Sequence, residues 1–365
     1  MASTESYHPL PPAAPSAVGP NEINLLSRYQ TLSDASTLHW NTRYRKRTLL
    51  GAGGQGAVYL ADRRGTDQFL LPVALKVFSP EPYRDAEAYD EDMGRVAQVA
   101  SRVAVLQHDN LLDIHDFFSQ NGVRVMEMEW LDGYDLRRLL APETLERTRA
   151  RLGDERWEYV NDVILTEGPA QSRLKPGVAI QVLRECLAGL AALHREGIVH
   201  GDLKPSNIML KRTGAAKLID IGSGVQLNRP TARRVWSPAY AAPEILEGED
   251  STPRSDLASL GYVLVEMLAG RPPFEGLTTY RELIDAKSDL DQRLPDLLPP
   301  EVSCNEMLLH LCRKLVAPDP GRRFSSALHA DLDRKGAADF HRQLVMGDLA
   351  SEYENDLRVW LEQLR

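Results

Sequence analysis

The chain has 365 residues, 43% of them apolar, which is enough for a sizeable core and for two or three domains. Its formal net charge of -9 gives no electrostatic reason for a nucleic-acid partner, because phosphate backbones are held by clustered Lys and Arg. Three cysteines, Cys186, Cys304 and Cys312, are too few and wrongly spaced for a zinc site or a disulfide framework, and no metal is expected from them.

In chain order, residues 1–40 read as a disordered or linker N-terminus, rich in Pro, Ala and Ser and without apolar period up to about Ser36. The first residues lack the charged start and apolar centre of a signal peptide. The most apolar helical stretch, residues 261–268, is far shorter than the roughly 20 residues that span a bilayer. No membrane span and a cytoplasmic location are therefore expected.

Residues 41–131 read as a small, mostly antiparallel sheet lobe, with strands at 57–61, 73–78, 112–118 and 123–127 and one helix between 85 and 106. Within it, Leu50-Gly51-Ala52-Gly53-Gly54-Gln55-Gly56-Ala57-Val58 has the spacing G-x-G-x-x-G-x-V in a strand–turn–strand setting. Missing Cβ atoms there let backbone N–H groups approach phosphate, although an isolated match is equally a plain glycine-rich hairpin. A dinucleotide-binding turn fits less well, because a strand and not a helix follows. Lys76 stands alone in the apolar strand Val73-Ala74-Leu75-Lys76-Val77. Lysine is rarely buried without a partner, and a nucleotide phosphate would be one; snorkelling to solvent is the alternative.

Residues 132–335 read as a larger helical lobe. Its clearest helix, 178–195, places Val182, Leu183, Cys186, Leu187, Leu190 and Ala191 on one face and stops at Gly197. The charged stretch 141–175 has little apolar period and reads as an insertion, a solvated surface excursion with a binding element as the alternative. An amphipathic helical extension occupies 336–365, where Leu349, Tyr353, Leu357, Trp360, Leu361 and Leu364 recur at helical spacing. That stripe is expected to be buried on its own lobe, with a homodimer or partner contact as the alternative.

The densest chemistry is His200-Gly201-Asp202-Leu203-Lys204-Pro205-Ser206-Asn207, followed by Asp220-Ile221-Gly222. Two carboxylates, an amide and a lysine on neighbouring loops are equipment for holding magnesium and a nucleoside triphosphate beside an acceptor hydroxyl. Taken singly, each residue could equally be a helix cap or a loop polar group.

Together with the glycine loop and Lys76, this set resembles the protein kinase family, a known template, and most nearly the bacterial-type serine/threonine protein kinases. The resemblance runs from about Tyr44 to Ala330 and implies an α+β, bilobal fold with a small antiparallel sheet lobe and a larger helical lobe. It implies that Asp202 accepts or orients the proton of the acceptor hydroxyl, that Lys204 neutralises charge on the transferred phosphoryl group and that Lys76 pairs phosphates. Asn207 and Asp220 would hold Mg²⁺, with Mn²⁺ as the alternative, and Gly51, Gly53 and Gly56 would cover the ATP phosphates. Leu50, Val58, Ala74 and Met209 take the positions of the adenine walls, with Met128 behind the pocket. Glu129 to Leu131 take that of the hinge that reads the base edge, and Asp135 that of a ribose contact. Ala241-Ala242-Pro243-Glu244 matches the A-P-E element, Asp256 resembles the acid that steadies the catalytic loop, and Arg323 the arginine that pairs Glu244. Lys204 and Ser237-Pro238 resemble the serine/threonine pattern, so the implied partners are ATP and a protein hydroxyl.

Three departures stand out. Gly201 replaces the arginine that in many relatives clamps a phosphorylated loop, and Ile221 replaces a phenylalanine. Val99, nine residues before His108, stands where the family has the glutamate that pairs the strand lysine; Gln98 is beside it, with Glu91 and Asp92 two turns earlier. Two alternatives follow: a pseudokinase that binds nucleotide as a scaffold or regulatory module, and a kinase for a small metabolite.

Overall fold

A computed structural model describes residues 20–35, 37–38, 44–221, 224–227, 236–346 and 353–364. The chain forms two compact units, Met1–Gln107 with Leu112–Leu131, and His108–Leu111 with Asp132–Arg365.

The first unit is built on a six-stranded antiparallel sheet of β1 (Thr37–Leu38), β2 (Tyr44–Gly53), β3 (Gly56–Arg64), β4 (Leu70–Phe78), β5 (Ile114–Gln120) and β6 (Val123–Glu129), in the order β1-β2-β3-β4-β6-β5. Side chains alternate along each strand, so Val73, Leu75 and Val77 of β4 face a core with Tyr44, Ala61 and Val125. Between β4 and β5 runs α2 (Ala86–Ala104), capped by Asp85, whose carboxylate accepts from the Ala88 N–H at 2.7 Å. The strands and this helix follow the expected ones to within a few residues.

Residues 20–34 depart from the expected linker, for they form the helix α1 (Pro20–Asp34). Leu25, Tyr29 and Leu32 recur at helical spacing and pack on the same core, where Leu32 is buried. The Lys46 ammonium donates to the carbonyls of Leu32 and Ser33, satisfying two of the acceptors that a helix end leaves open. The apolar stripe is real but only three residues long, and its polar surroundings mask it. For residues 1–19 the linker expectation lies outside the described residues.

The second unit is mostly helical: α3 (Leu136–Leu140), α4 (Pro142–Arg151), α5 (Asp154–Val163), α6 (Pro176–Arg195), α7 (Pro243–Leu246), α8 (Pro253–Ala269), α9 (Tyr280–Ser288), α10 (Leu290–Leu297), α11 (Pro300–Ser303), α12 (Glu306–Val316), α13 (Ala327–Leu332), α14 (Ala337–Met346) and α15 (Tyr353–Glu362). Three small sheets join them: β7 (Gly133–Asp135) with β11 (Ile208–Lys211) and β12 (Ala216–Leu218), β8 (Leu165–Thr166) with β9 (Arg173–Leu174), and β10 (Ile198–Val199) with β13 (Val225–Gln226). At 20 residues α6 is long and apolar enough to cross a membrane, which corrects the expectation that no segment reaches that length. Its apolar face is the core of this unit, with Leu183, Cys186, Leu187 and Leu190 buried.

The stretch 141–175 is not a solvated excursion. It folds into α4, α5 and the β8–β9 hairpin, and it buries Thr144, Thr148, Val160, Ile164 and Leu174. Two of those buried positions are threonines whose hydroxyls bond helix carbonyls, which is why the apolar period looked sparse. What they receive is α15. Leu357, Trp360 and Leu361 have no exposed surface; the Trp360 indole N–H donates to Thr148 Oγ1 at 3.4 Å and the Tyr159 hydroxyl to Asp356 Oδ1 at 2.6 Å. The carbonyls at the end of α15 accept from Arg212 (Leu361 O, 3.3 Å), Arg151 (Gln363 O, 3.2 Å) and Tyr134 (Leu364 O, 3.1 Å). The stripe is consumed within its own unit, which replaces the homodimer or partner alternative; Leu349 lies outside the described residues.

Trp360→Ala should therefore open a large cavity and lower stability by about 3–5 kcal/mol, read from urea denaturation. A midpoint equal to that of the wild type would show that α15 contributes nothing to the fold.

Candidate active site

In the first unit, β2 and β3 form the glycine hairpin. Gly56 has φ 131°, and a Cβ there would lie 1.9 Å from the Val77 carbonyl oxygen, so the close approach of β4 demands glycine. Gly51 and Gly53 differ, for among the described residues no atom beyond their chain neighbours lies within 4 Å of where their Cβ would sit. Packing does not require glycine at either, whereas backbone contact with a phosphate would.

Strand register gathers the expected pocket residues on the face opposite the core. Val58 pairs with Lys76, Lys76 with Met126, and Ala74 with Met128, so these side chains share that face. Met126 is an addition that the motif did not contain. Leu50 is 49% exposed at the lip of the hairpin, while Met128 and Leu131 are buried. Glu129 is tied to the residue before β5: its N–H donates to the Asp113 carbonyl and its carboxylate accepts from the Asp113 N–H, both at 2.9 Å.

Lys76 is only 7% exposed, and its ammonium donates to Gln55 Oε1 at 2.8 Å and stands 5.2 Å from the centre of the Phe78 ring. Gln55 lies inside the glycine motif at a position that the spacing treats as free, so sequence reasoning passed over it. Val99 is buried on α2, whereas Glu91 and Gln98 are exposed. Asp92 is engaged by Tyr83 and Arg95.

In the second unit the loop after β10 is held by one carboxylate. Asp256, in the first turn and a half of α8, accepts from the backbone N–H groups of His200 at 2.8 Å and Gly201 at 2.9 Å, and pairs with His194 Nε2 at 2.8 Å. The His200 ring sits 3.0 Å from the Ile219 carbonyl through Nε2, while its Nδ1 accepts from the Asp202 N–H at 3.4 Å. These two bonds together fix the Nε2–H tautomer.

Asp202 is buried, and Oδ1 accepts from the Ser237 N–H at 2.9 Å while Oδ2 accepts from the Lys204 ammonium at 2.7 Å. Lys204 also donates to Ser237 Oγ at 2.8 Å. Ser237, read in the sequence only as a marker of acceptor class, is thus part of the arrangement. Asn207, at the end of a single 3-10 turn, donates Nδ2 to the Asp202 carbonyl at 2.8 Å, and its own carbonyl accepts from the Ile219 N–H at 2.9 Å. Asp220 follows with φ 61°, a strained region that Asp tolerates better than most residues. Ile221 is a buried apolar plug. Met209 of β11 pairs with Asp135 of β7; the Asp135 carboxylate caps α3 through the Arg138 N–H at 2.9 Å, and burial pushes its pKa up.

With Nδ2 committed to Asp202, Asn207 keeps its amide oxygen as a hard donor, and Asp220 adds a carboxylate. Two hard oxygens without thiol or imidazole suit Mg²⁺, which keeps waters and takes phosphate oxygens as further ligands. Among the described residues no group of three or more His, Cys, Asp or Glu forms a protein-only cage.

Below this loop, Glu244 and Arg323 form a buried bidentate pair at 2.6 and 2.8 Å. The guanidinium also donates to the carbonyls of Ala317, Arg254 and Pro318, so all five N–H groups are satisfied. Nearby, the Tyr240 hydroxyl donates to Glu266 at 2.6 Å, and Gln171 of the 141–175 stretch donates to the other carboxylate oxygen at 3.0 Å. Burial pushes the pKa of Glu266 up.

A family model described as protein kinase domain matches residues 44–332. Serine/threonine-protein kinase PknD of Mycobacterium tuberculosis is 32% identical over 292 residues, covering 78% of this chain and 38% of its own length. PrkC of Bacillus subtilis is 27% identical over 304 residues (82% and 41%), and PknB of Mycolicibacterium smegmatis 29% over 313 residues (81% and 43%). The chain spans about two-fifths of the length of these relatives.

Arg323→Ala would leave the Glu244 carboxylate buried without its partner, and should cost about 3–5 kcal/mol of stability in urea denaturation. A loss below about 1 kcal/mol, the range of an exposed pair, would show that the pair is solvated in solution.

Proposed function

The chain belongs to the protein kinase domain family, and from that premise we propose that it is an ATP-dependent serine/threonine protein kinase, transferring the γ-phosphoryl group to a hydroxyl of an acceptor protein. The observation that carries this reading is the arrangement around Asp202, where one short loop presents a buried carboxylate, the Lys204 ammonium shared with Ser237, and an Asn207 whose amide nitrogen is bonded to the Asp202 carbonyl.

On this reading, Asp202 orients the acceptor hydroxyl and takes its proton as the new O–P bond forms and the bond to the ADP oxygen breaks. Lys204 places positive charge where charge builds on the transferred group. Lys76 pairs phosphate oxygens of the nucleotide, and Gly51 and Gly53 bring backbone N–H groups to them. Asn207 and Asp220 hold the divalent cation, for which Mg²⁺ fits the donor set; when bound, it neutralises charge across the phosphates. Ala74, Val58, Met128 and Met209 wall the adenine, with Glu129 to Leu131 as the hinge and Asp135 toward the ribose.

Relatives named as protein kinases support this reading over a pseudokinase or a small-metabolite kinase, and Gln55 supplies Lys76 with a partner despite the valine at position 99. A cytoplasmic setting is part of the proposal, since ATP and free thiols coexist there and Cys186, Cys304 and Cys312 are all unbridged.

Phosphate transfer from labelled ATP to protein, by the purified chain with Mg²⁺, tests the reading. Asp202→Asn should keep ATP affinity within a few fold while turnover falls by roughly 10²-fold or more. Asp220→Ala should instead weaken Mg-ATP binding itself, measured by titration calorimetry. Equal losses of nucleotide affinity in both variants would defeat the division of labour between proton handling and metal binding.

A further inference from the structure

Lys287 of α9 is the most deeply buried charged side chain outside the machinery described above, with no exposed surface. A lysine so placed needs compensation, and its polar partners are two backbone carbonyls. Its ammonium donates to Pro238 O at 2.6 Å and to Ala241 O at 2.8 Å. It also stands 5.3 Å from the centre of the Tyr262 ring and 4.9 Å from that of Phe274, two rings set nearly perpendicular with centroids 5.1 Å apart. Two carbonyls and two aromatic rings thus surround one nitrogen.

Both carbonyls belong to the segment that begins at Ser237. Ser237 donates to Asp202 through its N–H and accepts from Lys204 through its hydroxyl, while its carbonyl accepts from the N–H groups of Tyr240 and Ala241 at 2.8 and 3.0 Å. The segment is therefore a tight turn with one end against the Asp202 carboxylate. Lys287 fastens that turn at the residue next to Ser237 and again at its far end.

We propose that Lys287 is a positioning residue for the acceptor protein: by clamping the carbonyls of Pro238 and Ala241, its ammonium holds residues 237–241 in the shape that receives the acceptor chain beside Asp202. The inference rests on the kinase reading and adds to it a residue that neither touches the nucleotide nor meets the reacting atoms.

The clamp depends on charge. An ammonium makes charge-assisted hydrogen bonds and is drawn to both rings, whereas a neutral amine makes weaker bonds and turns a lone pair toward one of them. Burial pulls the pKa of Lys287 down to about 7, opposed by the Glu244 carboxylate. The ionisable groups facing it are Glu244 of α7, already paired with Arg323, and Tyr262 of α8, whose phenol is pushed up by burial. Raising the pH through neutrality should discharge the amine and loosen the turn.

The test uses the full chain with Mg-ATP and casein as acceptor, at pH values from about 6 to 8.5, the range over which an amine of this pKa changes charge. Wild-type protein should show a KM for casein that rises with pH. Lys287→Met should raise that KM about tenfold at pH 6 and flatten its pH dependence, while Mg-ATP affinity by calorimetry stays within about twofold. Phe274→Leu keeps the amine but removes one ring, and should move the midpoint of the wild-type profile to lower pH. A Lys287→Met enzyme with the wild-type KM and pH profile overturns the inference, and if that variant fails to fold, an unmoved midpoint in Phe274→Leu does so. If wild-type protein binds Mg-ATP yet phosphorylates neither casein nor itself, it is the kinase reading that has failed.

Discussion

The chemistry proposed for the second unit depends on one buried carboxylate. Asp256 is 1% exposed and accepts three donors, two of them consecutive backbone N–H groups of the loop that carries Asp202. A buried carboxylate is costly unless its lone pairs are filled, and here filling them dictates the course of the loop. The same constraint propagates through His200, whose backbone is fixed by Asp256 and whose ring reaches Ile219, the residue before Asp220. Asn207 closes the circuit by accepting from the Ile219 N–H and donating to the Asp202 carbonyl. Removing the carboxylate would free two backbone donors at the start of this circuit, and Asp202, Asn207 and Asp220 would lose their common reference together.

A second layer of support comes from outside the matched family region. At the C-terminal end of α15, Arg212, Arg151 and Tyr134 donate to the carbonyls of Leu361, Gln363 and Leu364. Arg212 follows β11 directly and its guanidinium pairs with Asp132 at 2.6 Å, just before β7. Those two strands bear Met209 and Asp135 in register. The C-terminal helix thus braces the β7–β11 strand pair, and Thr148, Arg151 and Tyr159 of the 141–175 stretch bond to the same helix region. An apolar stripe that looked available for a partner is a structural tie within one unit.

What was legible in the sequence was local. The glycine hairpin, the strand with its single lysine, the loop from His200 to Asn207 and the apolar face of α6 each declare themselves by spacing over fewer than about twenty residues. Asp256 and the Glu244–Arg323 pair were readable only through resemblance, because nothing in spacing selects partners 50 to 80 residues apart. Gln55 was illegible because the motif leaves its position open, and the fit to Lys76 appears only once β3 and β4 are in register. Thr144 and Thr148 hid a buried helix face behind polar names, and α1 was hidden by the brevity of its stripe. Lys287 is the extreme case. In sequence it is one polar residue in a charged stretch, and its burial follows from two carbonyls and two rings brought to it by three other elements.

The valine at position 99 bears on how Lys76 is held. Val99 is 4% exposed, so a carboxylate in its place would be desolvated and would need an ion pair to be tolerated. The chain instead sets a neutral amide on the glycine hairpin against the ammonium. An amide oxygen satisfies one ammonium donor without adding charge, and it competes with phosphate oxygens less strongly than a carboxylate would. On the kinase reading, the loop that receives the phosphates thus also helps to orient the lysine, and the bond given up there is one to a neutral acceptor. Loss of the helix glutamate then changes which element positions the lysine, without removing the positive charge that phosphoryl transfer requires.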